Sequence, residues 1–595
     1  MAQFFKTLIF LLSASTLQAQ AASSYTVSFE NAIHHEAQIS ATFSNIRSNE
    51  VVFTMSRSSP GRYALHEFVK NVYNVKVSNG KGEPLNVTRP DPYSWLVSGH
   101  DGTIHVSYTL FANHGDGTYA QIDETHAHLN MPAVFMYVPE LSDREIEVTF
   151  EIPEKSGWKV ATQLKHLYGN TYFAKDFQYF MDSPVEIANF HKRTFKVKDQ
   201  YIHLILHDDA ASQQDIDSYF ENIKKIVFEQ EAVFGELPQF DYGEYIFLAC
   251  YMPNATGDGM EHRNSTVIPS TRSLANGGGR TNIGTVAHEF FHCWNVERIR
   301  PKSMEPFHFL RANMSGELWF AEGFTSYYDD LSMVRAGIIT KEEYLDQLVG
   351  TFNYVWTSPA RQFFNPIEMS YQAPFVDAAR SVDEVNRENT FISYYSYGTV
   401  LGLALDLSLR ERGLNLDGFM KLMWHDFGKA EKFYTNDDLN QTLNRYAGKE
   451  FGDHFFNSYI FKSDMPDYSR LFKQMGVVLK TNERIDFGAN VRSQKLISNP
   501  KIGSPAYESN FQKGDKIIAV DDIEFSGNVS INSVLGTFKV GETIKIIFER
   551  FGNQREAMVK IKPSNSYDIK LMAPTSKEFT KKVKQKQMDW LNGSR

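Results

Sequence analysis

The segment from Val286 to Asn295 constrains this chain of 595 residues more than any other part of its sequence. It contains His-Glu-x-x-His, and on a helix this spacing brings His288 and His292 to one face, about one turn apart. Both imidazoles could then reach one metal ion, while Glu289 lies beside that face and could accept a proton from an attacking water. Because such short patterns also recur by chance, the motif alone leaves open a half-buried aromatic helix without a metal.

A third ligand is needed, because catalytic zinc usually takes three protein ligands and keeps a fourth position for water. After His292 the sequence reaches an apolar segment, 318–328, that has one carboxylate in its middle. A lone acid there would be costly to bury unless it were paired or bound to a metal. We therefore predict that Glu322 joins His288 and His292 as the third ligand.

The first 21 residues have the pattern of an export signal. Lys6 supplies a positive charge, residues 7–14 are apolar, and Ala19-Gln20-Ala21 is a small-x-small cleavage site. The apolar run is too short to span a bilayer, and no later run approaches the roughly 20 residues that a membrane helix needs. We expect an exported protein, periplasmic or secreted, without a membrane span. Its net charge of −10 provides no basic surface for nucleic acid.

Composition and periodicity divide the rest of the sequence into three domains and a tail, which predicts a multidomain α+β fold. Residues 22–157 show short alternating strands separated by turn clusters, as in a β-sandwich domain. Residues 158–482 begin with further strands and become mostly helical around the metal motif. Residues 483–563 return to short strands, and residues 564–595 form a lysine-rich C-terminal tail that we expect to be solvated or loosely docked.

Two further groups are candidates for contacts with a substrate. Glu261 follows an apolar strand and a turn-forming run, so it could hold the charged α-amine of a peptide aligned on an edge strand, or be an ordinary solvated glutamate. One of Tyr394, Tyr395 and Tyr397, which precede an apolar helix, could donate a hydrogen bond to an oxyanion. Aromatic packing accounts for at least one of these three tyrosines.

Two pairs of residues have a plain structural interpretation. His126 and His128 would share one face of a strand, but no further ligand set is evident, so a place in the lining of the cleft is favoured over a metal site. Cys250 and Cys293 do not make the disulfide framework of a small secreted domain, and they could either pair or remain buried thiols.

Taken together, the motifs resemble those of the glycyl aminopeptidase family of zinc metallopeptidases. The resemblance is strongest in the extension of the histidine motif, Trp294-Asn295-Val296-Glu297-Arg298-Ile299-Arg300-Pro301, and in two other segments, Met260-Glu261-His262 and Trp319-Phe320-Ala321-Glu322-Gly323. It covers nearly the whole sequence after the signal. Residues 59–63 are similar to that family's N-terminal β-domain signature, and residues 483–563 are similar to its C-terminal PDZ domain.

The resemblance implies a thermolysin-like catalytic domain that holds one zinc ion per molecule. His288, His292 and Glu322 would be the zinc ligands, Glu289 would be the general base, and Glu261 would anchor the free amino terminus of the substrate. The implied activity is removal of small N-terminal residues, glycine or alanine, from peptides. No residue in the sequence establishes that preference.

The choice of tyrosine also follows from the resemblance. Related aminopeptidases have Tyr-x-Lys-Gly, which aligns with residues 395–398, so Tyr395 is the candidate for the oxyanion and Tyr394 is the alternative. The sequence departs from the pattern at Tyr397, which replaces the lysine, and at Cys293, which is unusual after the second histidine.

The predicted PDZ domain could bind the carboxyl terminus of another polypeptide by strand addition around Phe487-Gly488-Ala489, or it could pack on the catalytic domain.

Two other functions are alternatives to an aminopeptidase. One is a zinc endopeptidase, which would lack an acid for the substrate amine. The other is a PDZ-bearing peptide-binding protein whose peptidase domain is inactive.

Overall fold

The structure is a computed structural model that describes residues 23–376 and 383–592. The predicted export signal lies outside these residues. In the described parts of the protein, no helix has both the length and the apolar character needed to cross a membrane.

The N-terminal region is a sandwich of two sheets around one apolar core, as predicted. Its strands alternate in burial because successive residues point to opposite faces of a sheet. The larger sheet has the order Lys165–Tyr168, Thr171–Ala174, Ile146–Glu151, Ser23–Ser28, Glu36–Phe43, Ile104–Phe111 and Val72–Asn79. The smaller sheet has the order Met136–Tyr137, Glu50–Met55, Ser94–Ser98 and Asn86–Thr88.

A second four-stranded sheet continues this region beyond residue 157. Its order is Lys159–Thr162, Val185–Ala188, His126–Leu129 and Gln121–Ile122, so it combines strands from both sides of the predicted boundary. The apolar core of the N-terminal region likewise reaches Ile187, and it includes Phe307 and Phe309 from the central region.

The central region combines a five-stranded sheet with a helical layer. The sheet has the order His191–Val197, Gln200–His207, Glu244–Tyr251, Ser265–Ser270 and Met260–His262, which makes the last of these an edge strand. The helices pack in one large apolar core with the sheet. In sequence order they are Gln213–Phe234, Gly278–Thr281, Ile283–Phe291, Leu318–Ala321, Gly323–Arg335, Lys341–Trp356, Pro366–Ser370, Ala373–Val376, Arg387–Thr390, Tyr394–Glu411, Leu416–Met423, Asn436–Ala447, Lys449–Phe455 and Tyr468–Gln474.

Two glycines allow two long helices to meet behind the metal motif. Helix Tyr394–Glu411 crosses helices Leu318–Ala321 and Gly323–Arg335 so closely that a Cβ added to Gly398 would stand 1.9 Å from the carbonyl oxygen of Trp319. A Cβ on Gly323 would stand 2.2 Å from the Cα of Gly398. Only glycine permits this approach, which brings the segment of the predicted third ligand against the segment of the predicted tyrosine.

The PDZ region is inserted between two strands that pair with each other. Val477–Thr481 pairs antiparallel with Tyr567–Leu571, and residues 483–563 lie between them in the sequence. The insert has its own apolar core and a six-stranded sheet, formed by Val491–Arg492, Lys495–Leu496, Lys516–Val520, Ile523–Glu524, Thr543–Arg550 and Asn553–Lys560. Two short helices, Pro505–Glu508 and Ile531–Leu535, complete it.

The C-terminal tail differs from the solvated or loosely docked segment that its lysines suggest. It returns to the central region as helix Lys581–Leu591, in which Trp590 and Leu591 are fully buried. Trp590 Nε1 donates a hydrogen bond to Tyr327 Oη at 3.0 Å, and its carbonyl oxygen accepts one from Arg335 Nε at 3.0 Å. The apolar area of the tryptophan therefore outweighs the solvation of the lysines, which occupy the other face.

Candidate active site

The three predicted ligands converge on one point. His288 Nε2 and His292 Nε2 lie 3.1 Å apart, and Glu322 Oε2 lies 3.6 Å and 3.3 Å from them respectively. Ligand atoms at bonds of roughly 2.1 Å to a tetrahedral zinc would be separated by about 3.4 Å, so the spacing fits this metal. The histidines come from helix Ile283–Phe291 and the residue that ends it, as the spacing of the motif predicts.

The second nitrogen of each histidine is held by a neighbour. His288 Nδ1 donates to Asp329 Oδ2 at 3.0 Å, and His292 Nδ1 donates to the carbonyl oxygen of Asn295 at 2.5 Å. Such partners fix the orientation of each ring and leave Nε2 for the metal. Asp329 is not among the residues predicted from the sequence. It is an acid seven residues after Glu322, and this spacing returns to the same face of a helix.

Glu322 is held by a residue from the N-terminal region. Tyr63 Oη donates a hydrogen bond to Glu322 Oε1, which leaves Oε2 facing the two histidines. Burial, and then the charge of Glu322, raises the pKa of the Tyr63 hydroxyl well above its usual range, so it remains a donor. Tyr63 is 259 positions away in sequence, and apart from the family signature at residues 59–63 nothing in the sequence connects it with the metal site.

Glu289 has the environment expected of a proton acceptor. Its Oε2 is buried and accepts no hydrogen bond from any residue that the structure describes. Burial raises the pKa of Glu289 to about 7, close to the range in which a carboxylate both takes up and returns a proton. The backbone of Gly259 lies directly against this carboxylate, since a Cβ on that glycine would stand 2.1 Å from Glu289 Oε1.

Glu261 lies beside these residues and is not a solvated loop residue. It is in the edge strand Met260–His262, it is 5% exposed, and its carboxylate lies within 4.8 Å of the ligand atoms of Glu289 and His292. Burial raises the pKa of Glu261. The N-terminal region reaches it as well, because a Cβ on Gly61 would stand 2.9 Å from Glu261 Oε2.

The three tyrosines of the segment 394–397 occupy different places. The Tyr395 ring lines the cleft, with its centroid 6.0 Å from that of His288. Tyr394 is 2% exposed, and its ring packs edge-on against that of Tyr63. Tyr397 is fully buried.

The cleft that joins these groups has a volume of about 350 Å³ and lies between the N-terminal and central regions. Arg62 from the N-terminal region pairs with Asp258 at its rim. Most of its lining is polar or glycine, comprising Gly61, Arg62, Asp258, Gly259, Glu261, Gly284, Thr285, His288, Glu289, His292, Asp329 and Tyr395.

Several other predicted groups lie outside this cleft. His126 and His128 are fully buried and are not among the residues that line it. Cys250 and Cys293 are both free and buried, so they form no disulfide. In the PDZ region, the backbone N–H groups of Phe487 and Gly488 already donate to Asn532 Oδ1 and Asp486 Oδ1, at 2.8 Å and 3.0 Å, so neither is available for a peptide carboxylate.

The PDZ region also contacts the central region. Asn389 Nδ2 donates to the carbonyl oxygen of Pro500 at 3.0 Å, and Asn389 Oδ1 accepts from the backbone of Ile502 at 2.8 Å. Asn389 is 2% exposed, so these bonds lie in a protected contact.

Comparisons with known proteins identify three domains in the sequence. Sequence models of three known domains match the protein: the Peptidase M61 N-terminal domain over residues 24–189, the M61 glycyl aminopeptidase over residues 281–401, and a PDZ domain over residues 474–561. The second match includes both histidines of the motif, Glu322 and Tyr395. A search of curated protein sequences finds no match.

One solved structure shares the fold over nearly the whole chain. The fold is similar to that of an aminopeptidase N family protein from Idiomarina loihiensis, with a TM-score of 0.84 and 24% identity over 96% of this chain and 100% of that chain. An M1 zinc metallopeptidase from Deinococcus radiodurans, solved as a mutant with a Tyr-Ser-Ala substrate, has a TM-score of 0.45 and 12% identity over 75% of this chain and 94% of that chain. Together with the matched domains, the converging histidines and carboxylates lead to one conclusion: the protein carries an M61 N-terminal domain and an M61 glycyl aminopeptidase domain, and it is a hydrolase that acts on peptide bonds.

Proposed function

We propose that the protein is a zinc-dependent aminopeptidase that removes N-terminal residues from peptides with a free amino terminus. The observation that carries this proposal is the position of Glu261, a buried carboxylate on an edge strand beside Glu289 and His292. An edge strand can align a peptide backbone by strand addition, and a carboxylate next to it can hold the charged α-amine. The substrate of an endopeptidase continues past this point, so it would have no charged amine there to pair with Glu261.

The chemistry is divided among the residues around the cleft. His288, His292 and Glu322 fit zinc, and we propose one catalytic ion at this site. When bound, zinc lowers the pKa of water and polarises a carbonyl group. Glu289 takes the proton of the attacking water on Oε2 and returns it to the leaving amine. The hydroxyl group of Tyr395 donates a hydrogen bond to the oxyanion, with Tyr394 as the alternative donor.

A preference for glycine or alanine at the first position of the substrate is part of the proposal. Two features support it besides family likeness. The cleft is small, at about 350 Å³, and it must hold the peptide backbone as well as the first residue's substituent. Its polar lining, which includes the pair of Arg62 with Asp258, would leave a large apolar group poorly covered.

Two further parts of the proposal concern the ends of the protein. The signal pattern of residues 1–21 supports export to the periplasm or the exterior. For the PDZ region we propose a peptide ligand bound by strand addition, away from the occupied N–H groups of Phe487 and Gly488.

A pure binding protein is disfavoured, because all three metal ligands and the buried base Glu289 are in place.

The test compares free and N-acetylated glycyl and alanyl anilides as substrates of the full-length protein, of Glu261→Gln and of Glu289→Gln. The wild type should cleave only the free substrates. Glu261→Gln removes the charge but keeps the shape, so kcat/KM for the free substrates should fall roughly a hundredfold, as expected for the loss of one charged hydrogen bond. Glu289→Gln should retain its zinc and lose activity, which separates chemistry from folding.

Two outcomes would contradict the proposal. Equal cleavage of the acetylated substrates, or an unchanged rate in Glu261→Gln, would favour the endopeptidase. Full zinc occupancy with no cleavage of these substrates or of longer peptides would favour the binding protein.

A further inference from the structure

Four buried residues with metal-binding atoms meet at a point outside the catalytic cleft. They are His126, Glu186, His207 and Cys250, and their ligand atoms all lie within 4.8 Å of one another. None of them is more than 4% exposed. Imidazole, carboxylate and thiolate are the three ligand types that zinc sites in proteins use.

Two sheets contribute to this cluster. His126 and Glu186 come from paired strands of the four-stranded sheet, with Ala188 opposite His126 and His128 opposite Glu186. His207 and Cys250 are direct partners on neighbouring parallel strands of the five-stranded sheet. The cluster thus forms where the sheet that continues the N-terminal region faces the sheet of the central region.

The spacing in the cluster suits one tetrahedral ion. His207 Nδ1 lies 3.7 Å from Glu186 Oε1 and 3.9 Å from Cys250 Sγ. The rings of His126 and His207 are 4.9 Å apart between centroids. Zinc bonds of about 2.1 Å to nitrogen or oxygen and about 2.3 Å to sulfur would separate ligand atoms by roughly 3.4–3.6 Å. A small inward movement of these residues is enough to complete the site.

His126 Nε2 and Glu186 Oε1 are buried atoms of the cluster that form no hydrogen bond with any described residue, and the nearest ion-pair contact of Glu186 Oε1 is His207 Nδ1 at 3.7 Å. Their other atoms are held, since His126 Nδ1 lies 3.1 Å from Asp123 Oδ1 and Glu186 Oε2 lies 3.0 Å from His128 Nδ1. An unsatisfied buried polar atom costs about 1–3 kcal/mol, and a metal ion would satisfy both.

The surroundings match those of metal ligands in two respects. Asp123 behind His126 is the kind of partner that orients a ligating histidine. One carboxylate and one thiolate would balance the charge of a divalent ion, so the occupied site would be neutral and suited to burial.

A metal-free explanation is a network in which protonated His126 donates to Glu186. That network requires a hydrogen bond between His126 Nε2 and Glu186 Oε1, and neither atom forms one with any residue in the described part of the protein. We therefore infer that the protein binds a second divalent metal ion, zinc by its donor set, through His126, Glu186, His207 and Cys250. The ion would join the N-terminal region to the sheet of the central region, independently of catalysis at the proposed active site.

Anomalous diffraction at the zinc edge tests this inference on crystals of the full-length protein grown with zinc. A peak is expected between His126, Glu186, His207 and Cys250, separate from any peak at the three ligands of the cleft. A peak only at the cleft would overturn the inference. A peak only at the new site would support it and count against the proposed catalytic metal, so the two proposals fail separately.

Cobalt substitution gives a second test, with a matched control within the protein. The metal-free protein is loaded with Co²⁺ and examined for the near-ultraviolet charge-transfer band of a thiolate ligand. The sequence has only two cysteines. The band should be present in the wild type, absent in Cys250→Ala and retained in Cys293→Ala. A band that survives in Cys250→Ala would overturn the inference. If that variant does not fold, Glu186→Gln replaces it, with loss of one of two metal equivalents as the expected result.

Discussion

Tyr395 and Tyr394 are neighbours in sequence, but their rings face different surroundings. Tyr395 lines the cleft beside His288, whereas Tyr394 packs against Tyr63. We expect Tyr395→Phe to lower kcat roughly 100- to 1000-fold with little change in KM, because an oxyanion donor acts mainly in the transition state. Tyr394→Phe is the matched control and should lower kcat much less. Steady-state kinetics on a free alanyl anilide distinguishes them, and the reverse order would assign the role to Tyr394.

We expect the stability of the N-terminal region to depend on pH through His66. Its imidazole is buried, with Nδ1 2.9 Å from Tyr119 Oη and the ring stacked on Phe68. Burial, assisted by the charge of Arg62, lowers the pKa of His66 from 6.5 to about 4. Between these values the unfolded state binds the extra proton and the folded state does not, so stability is present above about pH 6.5 and is lost as the pH falls toward 4.

The pKa shift of His66 corresponds to about 3 kcal/mol between pH 7 and pH 4. In His66→Asn this titration is absent, so the variant should be less stable than the wild type at neutral pH. The difference in free energy of unfolding between the two proteins should shrink by about 3 kcal/mol as the pH falls to 4. Urea unfolding of both proteins across this range, followed by tryptophan fluorescence, measures the difference. A gap between the two proteins that does not change with pH would show that His66 is not buried in the neutral form.

At the scale of elements, the crossing of helices Gly323–Arg335 and Tyr394–Glu411 is the contact that positions Glu322. Ala at Gly398 would place its Cβ 1.9 Å from the carbonyl oxygen of Trp319. A backbone oxygen cannot move aside as the end of a flexible side chain can. We expect Gly398→Ala to cost about 3 kcal/mol or more and to weaken zinc binding.

The matched control for Gly398 is Gly350, which lies in helix Lys341–Trp356 and has open space around an added Cβ. Gly350→Ala should be neutral or stabilise by up to about 1 kcal/mol, since alanine is the better helix former. Thermal unfolding with bound zinc measured on each sample gives both readouts. Equal stability of the two variants would show that the helices do not cross as closely as the structure has them.

At the scale of the whole molecule, the PDZ region is an insert, while the tail belongs to the catalytic unit. The ends of the insert are adjacent, since the backbone N–H of Asn482 donates to the carbonyl oxygen of Ser566 at 2.9 Å. We expect a variant in which Asn482 is joined to Ser564 to fold and to cleave short free substrates almost as well as the full-length protein. Anilide hydrolysis and circular dichroism would test this.

Deletion of residues 564–595 is the matched comparison. It removes strand Tyr567–Leu571 and the helix that buries Trp590, and loss of one such tryptophan alone costs about 3–5 kcal/mol. This shorter deletion should therefore abolish soluble, active protein, although the larger internal deletion does not. If the internal deletion were inactive and the tail deletion active, the tail would not be part of the catalytic unit.

The residues that meet at the candidate active site could be predicted in large part from the sequence. The spacing of His288 and His292 is a local property, because four residues on a helix always return to one face. Glu322 was predicted from a charge in an apolar segment, and the structure brings it to the two histidines. Residue chemistry made Glu261 one of two open alternatives and the family resemblance favoured it, but no periodicity could indicate its burial beside Glu289.

The sequence by itself thus determined the fold class, the local pattern of the metal motif and its carboxylate. Only the tertiary structure decided which distant residues support them, such as Tyr63 on Glu322. The same holds for His126, for which no ligand set was evident because its partners come from three other strands far away in the sequence. The physical reason is that helix and strand periodicity specify only near neighbours in sequence. Contacts between sheets depend on how whole elements bury their apolar faces, and that packing produces no regular residue spacing in the sequence.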